Sequence, residues 1–181
     1  LGYLTGSIPT AYIVGRLLKG RDIRQMGDAN VGARNAYHQL GAKTGIGIFL
    51  IDAGKGALAI LVAQAVSLPL LAVLSTGIAA VIGHNWPVFI GFRGGRGEST
   101  TIGVLLMVIT QPILIMIGPA LASLLALRSV IKASAILFVP LPLVCWWLDI
   151  SGLLIGYSIA LSCLVGFTHF LRTRQPAMRQ A

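Results

Sequence analysis

The sequence has 181 residues, of which 56% are hydrophobic and only 10% are charged. A soluble domain carries about 25% charged residues, so this composition excludes an ordinary soluble domain and indicates a helical membrane protein. The net charge of +9 does not indicate a nucleic-acid-binding protein, because apolar stretches separate the basic residues. We therefore predict an all-α, polytopic membrane protein with about seven transmembrane helices, two of them short. We expect a single domain over residues 1–181.

The first predicted span covers Leu1 to Leu18, and Pro9 is the expected site of a kink. Small residues such as Gly2 and Gly6 would let neighbouring helices approach closely. The segment that follows is rich in Lys and Arg, so the positive-inside rule places it in the cytoplasm and the amino terminus outside. Its basic residues are Arg16, Lys19, Arg21, Arg24, Arg34 and Lys43.

The second predicted span runs from about Thr44 to Ser67 and contains Asp52 and Lys55. These opposite charges are three residues apart on one helix face, where they can neutralise each other within the bilayer. Two interpretations remain open: a structural ion pair, or a polar floor beneath a binding site. The third span, from about Leu70 to Trp86, returns the chain to the side of the first loop.

A helical hairpin is predicted between the third span and the next basic cluster. One crossing before Arg128 would leave its charge outside, whereas two crossings keep every basic loop on one side. We place both helices within Ser99 to Leu127, with the turn near Thr110-Gln111-Pro112. Because this segment is too short for two spans of about 20 residues, the helices must be short or tilted.

Two further spans complete the predicted bundle, from Ser134 to Leu148 and from Ile150 to Phe170. The segment after the last span is basic, which places the carboxyl terminus in the cytoplasm. This assignment puts the loop lysines and arginines on one side of the membrane. The basic residues at this end are Arg172, Arg174 and Arg179.

Two loops on the predicted cytoplasmic side are rich in glycine. We call Phe92 to Thr101, which reads Phe-Arg-Gly-Gly-Arg-Gly-Glu-Ser-Thr-Thr, the glycine loop. Glycines allow a backbone to approach a ligand with its N–H groups exposed, and guanidinium groups bind phosphate oxygens in pairs. The first loop reads Gly27-Asp28-Ala29-Asn30-Val31-Gly32-Ala33-Arg34-Asn35 and is also rich in turn residues. Together the two loops indicate a site that holds more than one phosphate.

These motifs resemble, in this order, those of the PlsY-type acyl-phosphate:glycerol-3-phosphate acyltransferases. The resemblance covers nearly the whole chain and implies a seven-helix bacterial inner-membrane enzyme. It implies transfer of a fatty acyl group from acyl phosphate to the 1-hydroxyl of glycerol 3-phosphate, giving lysophosphatidic acid and phosphate in phospholipid synthesis. The motifs are the opening Gly2 to Pro9, the first loop, Asp52 with Lys55-Gly56, Gly83-His84 through Phe89, Gly94 to Gly97, and His169.

The resemblance also implies a set of site residues. Ser134 and His169 would orient the attacking hydroxyl, and Asn30 is a further catalytic candidate. Asp28 has two open interpretations, a general base for that hydroxyl or an ion-pair partner of Arg34 or Arg96 that silences the site. The phosphate-binding candidates are Arg34, Asn35, Gly94, Gly95, Arg96, Gly97 and Arg128.

No metal or cofactor is expected, because no His, Cys or carboxylate cluster has ligand spacing. The expected partners are the two substrates and membrane lipids, without nucleic acid. A solute transporter would need an inverted repeat and a site near the membrane midplane, whereas the polar groups here collect at one face.

Several positions depart from the family pattern, and they leave an alternative function open. A catalytically degenerate member would bind phospholipid or acyl phosphate as a scaffold or regulator. The departures are Asp28 for serine, Ala29 for glycine, Arg34 for threonine, His38 for arginine, Arg96 for lysine and Arg172 for asparagine.

Overall fold

The computed structural model describes residues 1–174, and over that range the chain is helical without strands. Two short 3₁₀ helices, Ile23–Gln25 and Val88–Ile90, lie in the loops. The tail residue Arg179, predicted to be cytoplasmic, lies outside the described range. The α-helices are α1 (Gly2–Ser7), α2 (Thr10–Lys19), α3 (Ala33–Leu40), α4 (Ala42–Ala65), α5 (Leu70–Asn85), α6 (Glu98–Val108), α7 (Thr110–Leu127), α8 (Val130–Phe138), α9 (Leu141–Trp147) and α10 (Gly152–Arg174).

Five helical segments of the described chain are long and apolar enough to cross a membrane. The helix α6 is a shorter apolar helix of 11 residues. The predicted all-α membrane fold is therefore confirmed. The five segments are Ala42–Ala65, Leu70–Ile90, Thr110–Leu127, Val130–Trp147 and Gly152–Thr173.

The predicted kink at Pro9 is a complete break between α1 and α2. The carbonyl of Ile8 at this break accepts a hydrogen bond of 2.9 Å from Lys55 Nζ on α4. Lys55 Nζ also lies 3.0 Å from Asp52 Oδ1, which accepts a hydrogen bond of 2.9 Å from Thr10 Oγ1. All three side chains are buried. The Asp52–Lys55 ion pair is thus present, and it joins α4 to the interrupted first helix.

The predicted hairpin is formed by α6 and α7. The two helices are separated at Ile109, immediately before the expected turn, and Pro112 lies in the first turn of α7. Ser134 in α8 donates a hydrogen bond of 2.9 Å to Glu98 at the start of α6. Because α8 begins directly after α7, this contact shows that α7 returns the chain to the end of the bundle where α6 began.

Glycines allow α4 and α6 to pack with their backbones in contact. Gly103 of α6 lies against the carbonyl group of Ala53, and Gly56 of α4 lies against the carbonyl group of Thr100. A Cβ at either glycine would overlap with the opposing backbone. This close approach sets the distance between α4, which carries Asp52, and α6, which begins within the glycine loop.

Gly103→Ala is expected to destabilise the protein, because the added methyl group would force α4 and α6 apart at a cost of about 1–3 kcal/mol. Gly156→Ala in α10 is the matched control, since a Cβ there would meet no atom within 4 Å. The control should be neutral or slightly stabilising, because alanine favours helix by about 1 kcal/mol over glycine. Thermal unfolding in detergent measures both, and equal midpoints would contradict the close packing of α4 and α6.

Candidate active site

The first loop and the glycine loop meet at one end of the bundle. Asp28 Oδ2 accepts a hydrogen bond of 3.2 Å from Arg96 Nη2, across 68 positions in the chain. Asp28 Oδ1 accepts a second hydrogen bond, of 3.3 Å, from the N–H group of Asn30. Asn30 and Arg96 also line the same cavity. The two loops therefore meet and line one cavity.

This cavity has a volume of about 580 Å³ and lies between the two loops and the end of α10. Its apolar wall includes Trp86, Phe92 and Leu171. Its charged groups are mainly arginines, so the cavity has a net positive charge and favours an anionic ligand. The charged lining residues are Arg24, Arg93, Arg96 and Arg172, together with Asp22 and Asp28.

Arg24 fixes the segment before the first loop to the Val88–Ile90 helix. Its guanidinium group donates to both carboxylate oxygens of Asp22, at 2.7 to 3.1 Å, and to the carbonyl of Ile90 at 2.8 Å. It also lies over the Tyr12 ring, 5.1 Å from the centroid. Burial raises the pKa of the Asp22 carboxyl, but the hydrogen bonds and charge of Arg24 outweigh burial, and the pKa is lower than its ordinary value.

Asn35 holds the first loop in its folded shape. Its side-chain amide is buried and donates to the carbonyl groups of Ile23, Met26 and Asn30 at 2.9 to 3.2 Å. The predicted phosphate-binding amide group is therefore directed into the loop. The neighbouring Asn30 differs, because its buried Oδ1 has no hydrogen-bond partner among the described residues.

The glycine loop is anchored to the end of α5. The N–H group of Gly94 donates to the carbonyl of Asn85 at 3.2 Å, and that of Gly95 donates to the carbonyl of His84 at 3.0 Å. The imidazole ring of His84 lies so close to Gly95 that no Cβ would fit there. Gly97 has a φ of +83° and caps α6. Two of the predicted phosphate-binding N–H groups are therefore used within the protein, whereas the Arg96 side chain lines the cavity.

Two other predicted phosphate-binding arginines lie outside this cavity. Arg34 lines a smaller neighbouring cavity of about 170 Å³, together with His38. Asp28 lines both cavities. Arg128 is exposed at the carboxyl end of α7. A role in phosphate binding stays a prediction for both arginines.

Ser134 and His169 meet at Glu98, a residue that the sequence analysis did not single out. The Ser134 hydroxyl donates to Glu98 Oε2 at 2.9 Å, and His169 Nδ1 lies 3.8 Å from Glu98 Oε1. Neither Ser134 nor His169 lines the large cavity. A signal was available, because the chain has only 5 acidic residues and a carboxylate in the first turn of an apolar helix is favoured by the helix dipole. Within residues 1–174, no three His, Cys, Asp or Glu residues are grouped to hold a metal ion.

Asp22→Asn is expected to destabilise the protein at neutral pH by on the order of 1 kcal/mol, since it removes the charged partner of a partly exposed arginine. A lowered pKa means that the carboxylate stabilises the fold above its ordinary pKa of 3.8, and that this contribution is lost as the pH falls through the lowered value. Thermal midpoints at about pH 7 and pH 3 test this. The exposed Asp149 supplies the control, Asp149→Asn, and an equal deficit of Asp22→Asn at both pH values would contradict the prediction.

Comparison with known proteins identifies the family of this chain. The model of the family described as glycerol-3-phosphate acyltransferase matches residues 1–178. Glycerol-3-phosphate acyltransferase 4 of Dehalococcoides mccartyi (strain ATCC BAA-2266 / KCTC 15142 / 195) is 51% identical over 175 residues, covering 97% of this chain and 95% of the relative. Glycerol-3-phosphate acyltransferase of Synechococcus sp. (strain CC9902) is 36% identical, covering 93% of this chain and 84% of the relative.

Solved structures extend the similarity to three dimensions. A crystal structure of PlsY, an integral membrane glycerol 3-phosphate acyltransferase in its glycerol 3-phosphate form, superposes with a TM-score of 0.86 at 31% identity. It covers 96% of this chain and 87% of the other. The lysophosphatidic acid form of the same protein superposes with a TM-score of 0.83 at 30% identity, with the same coverage.

Proposed function

The chain belongs to the glycerol-3-phosphate acyltransferase family of integral membrane enzymes, and we propose that its acyl donor is an acyl phosphate. The acyl group would be transferred to the 1-hydroxyl of glycerol 3-phosphate. The products would be lysophosphatidic acid and inorganic phosphate.

The observation that carries this proposal is the arginine-lined cavity between the two loops. Four arginines and two carboxylates line it, and this excess of positive charge favours an anionic ligand. Both proposed substrates carry a phosphate group. The cavity volume of about 580 Å³ supports the proposal that both phosphates are held together.

The proposed chemistry depends mainly on orientation and charge. Acyl phosphate is an activated mixed anhydride, so the glycerol hydroxyl can attack the acyl carbon without a covalent enzyme intermediate. Guanidinium groups neutralise the negative charge that develops on the departing phosphate, and two fixed phosphates bring the reacting atoms together. The apolar wall formed by Trp86, Phe92 and Leu171 suits the first part of the acyl chain.

We also propose the location and orientation of the enzyme. A bacterial inner membrane fits the proposed substrates, and the positive-inside rule would place the amino terminus outside. The carboxyl terminus and the active site would then lie in the cytoplasm, where the two loops meet water-soluble glycerol 3-phosphate. Membrane lipids would surround the apolar helices.

Asp28 is assigned here to the ion-pair interpretation. One of its oxygens accepts from Arg96 and the other accepts from the N–H group of Asn30. Both oxygens of this carboxylate are therefore engaged by groups of the protein. We propose that Asp28 holds Arg96 in the empty site and releases it when a phosphate binds.

The central experiment supplies the purified protein, in lipid nanodiscs, with palmitoyl phosphate and glycerol 3-phosphate. We expect phosphate release that depends on glycerol 3-phosphate. Arg96→Ala should raise the KM for the phosphate substrates about 10- to 100-fold, because a charge-assisted contact is worth roughly 1.5–3 kcal/mol. Arg96→Lys should retain most of the activity, since it keeps the charge.

Arg21→Ala is the matched control for Arg96→Ala, because Arg21 is exposed in the segment before the first loop and does not line the cavity. Binding of palmitoyl phosphate without release would indicate the catalytically degenerate alternative. Equal KM values for Arg96→Ala and Arg21→Ala would contradict phosphate binding by Arg96.

Asp28→Asn is expected to retain turnover and to lower the KM for glycerol 3-phosphate, because the substrate no longer competes with a carboxylate for Arg96. The change should reach at most about tenfold, since an ion pair of this exposure is worth on the order of 1 kcal/mol. Steady-state kinetics measure it, with Asp149→Asn as the control for loss of a negative charge. A large loss of kcat in Asp28→Asn alone would restore the general-base interpretation.

A further inference from the structure

The turn between α7 and α8 carries two positive charges on the outside of the bundle. We call residues Leu125 to Lys132 the basic corner, and its two cations are Arg128 and Lys132. Both side chains are exposed, and neither lines the arginine-lined cavity. The basic corner is therefore a separate cationic surface, and the proposed reaction gives it no role.

The two cations of the basic corner have no ion-pair partner within the protein. Among residues 1–174, the ion pairs involve neither Arg128 nor Lys132. Arg24 differs, because its guanidinium group lies 2.7 Å from a carboxylate oxygen of Asp22. Two neighbouring positive charges without a carboxylate partner favour an anion from outside the protein.

The basic corner lies at the level of the bilayer where lipid phosphates are found. The segments Thr110–Leu127 and Val130–Trp147 are each long and apolar enough to cross a membrane. The residues between them, Arg128 and Ser129, therefore lie at the membrane surface. Lys132 is the third residue of α8, and a long lysine side chain can reach from there to the same level.

Large apolar side chains flank the two cations and face outward. Leu125 is 79% exposed, Leu127 is 50% exposed and Ile131 is 47% exposed. Only 22% of the first of the two membrane-crossing segments and 28% of the second is buried inside the protein, so most of their surface is available to lipid. An anionic phospholipid matches this surface, because it has a charged phosphate at the level of the cations and hydrocarbon chains below it. A soluble anion would gain nothing from the apolar side chains.

The basic corner faces away from the active site. Ser134 donates a hydrogen bond to Glu98 of α6, so this face of α8 is directed into the bundle. Lys132 precedes Ser134 by two residues, which corresponds to a rotation of roughly 200° around a helix. Lys132 is therefore directed outward, and a lipid bound there would contact α8 without entering the cavity.

We propose that the basic corner is a binding site for an anionic phospholipid of the surrounding membrane. The lipid phosphate contacts Arg128 and Lys132, and the acyl chains lie along Leu125, Leu127 and Ile131. The bound lipid holds the turn between α7 and α8 at the membrane surface, and it stabilises the fold because it binds the folded state. This site goes beyond the proposed function and does not depend on it.

The test measures lipid binding to the full chain purified in detergent. Phosphatidylglycerol and phosphatidylcholine with the same acyl chains are added in separate titrations, and the bound lipids are counted by native mass spectrometry. We expect phosphatidylglycerol to bind more tightly. The double variant Arg128→Gln/Lys132→Gln should weaken its tightest binding by about 5- to 30-fold, since each basic residue near an anionic lipid contributes about a factor of five. Lys132→Gln alone leaves the turn residue unchanged and should weaken binding about fivefold.

Thermal unfolding supplies a second readout. Phosphatidylglycerol should raise the unfolding midpoint of the unmodified protein more than phosphatidylcholine does. The double variant should lose most of this difference between the two lipids. Arg128→Lys keeps the positive charge and should retain most of it.

The matched control is Arg21→Gln/Lys43→Gln, which removes the same charge from two exposed positions outside the basic corner. An equal loss of phosphatidylglycerol binding in both double variants would overturn the inference, because the lipid would then respond only to total charge. Unchanged binding in Arg128→Gln/Lys132→Gln would overturn it as well. Tighter binding of palmitoyl phosphate than of phosphatidylglycerol, lost in the same variant, would also overturn it, because the occupant would then be the acyl donor.

Discussion

The fold depends on how one buried carboxylate, Asp52, is neutralised inside an apolar bundle. An unpaired charge in that environment costs several kcal/mol, so the surrounding helices must supply partners. Thr10 donates to Asp52 from α2 at 2.9 Å, Lys55 pairs with it from α4 at 3.0 Å, and His84 Nδ1 lies 3.8 Å away on α5. The opposite edge of the same imidazole lies against Gly95. The contacts of Asp52 with Thr10 and His84, and of His84 with Gly95, thus connect the broken first helix to the glycine loop.

Much of the architecture can be predicted from the sequence, because the length of each hydrophobic segment and the charge of each loop depend only on the residues within it. The hairpin of α6 and α7 was predicted from the position of Arg128 relative to the other basic residues, and the structure places its break at Ile109. The proximity of Asn30 and Arg96 followed from placing both loops on one side of the membrane. The directions of side chains and of backbone N–H groups could not be predicted in the same way from the sequence. The N–H groups of Gly94 and Gly95 are used by α5, a pairing that depends on the tertiary position of the loop.

The residues near the site that the sequence did not reveal were missed for one physical reason: their partners lie far away in the chain. Glu98 contacts Ser134 and His169, which lie on two other helices. No local sequence pattern predicts such a contact. Arg172 lines the cavity and donates to the carbonyl of Asn85 at 2.9 Å, a partner 87 positions away in the chain. Asp28 and Arg172 thus carry opposite charges in the lining of one cavity.

The cavity is lined by guanidinium groups as well as by Trp86, Phe92 and Leu171, so it offers both charged and apolar contacts. Under the proposed function, the two substrates arrive from different phases. Glycerol 3-phosphate is then governed by its molar concentration in water, whereas the acyl donor is governed by its mole fraction in the bilayer. Adding inert lipid or detergent would dilute the donor at the surface without altering the supply of the acceptor, so the enzyme would follow surface-dilution kinetics for one substrate only.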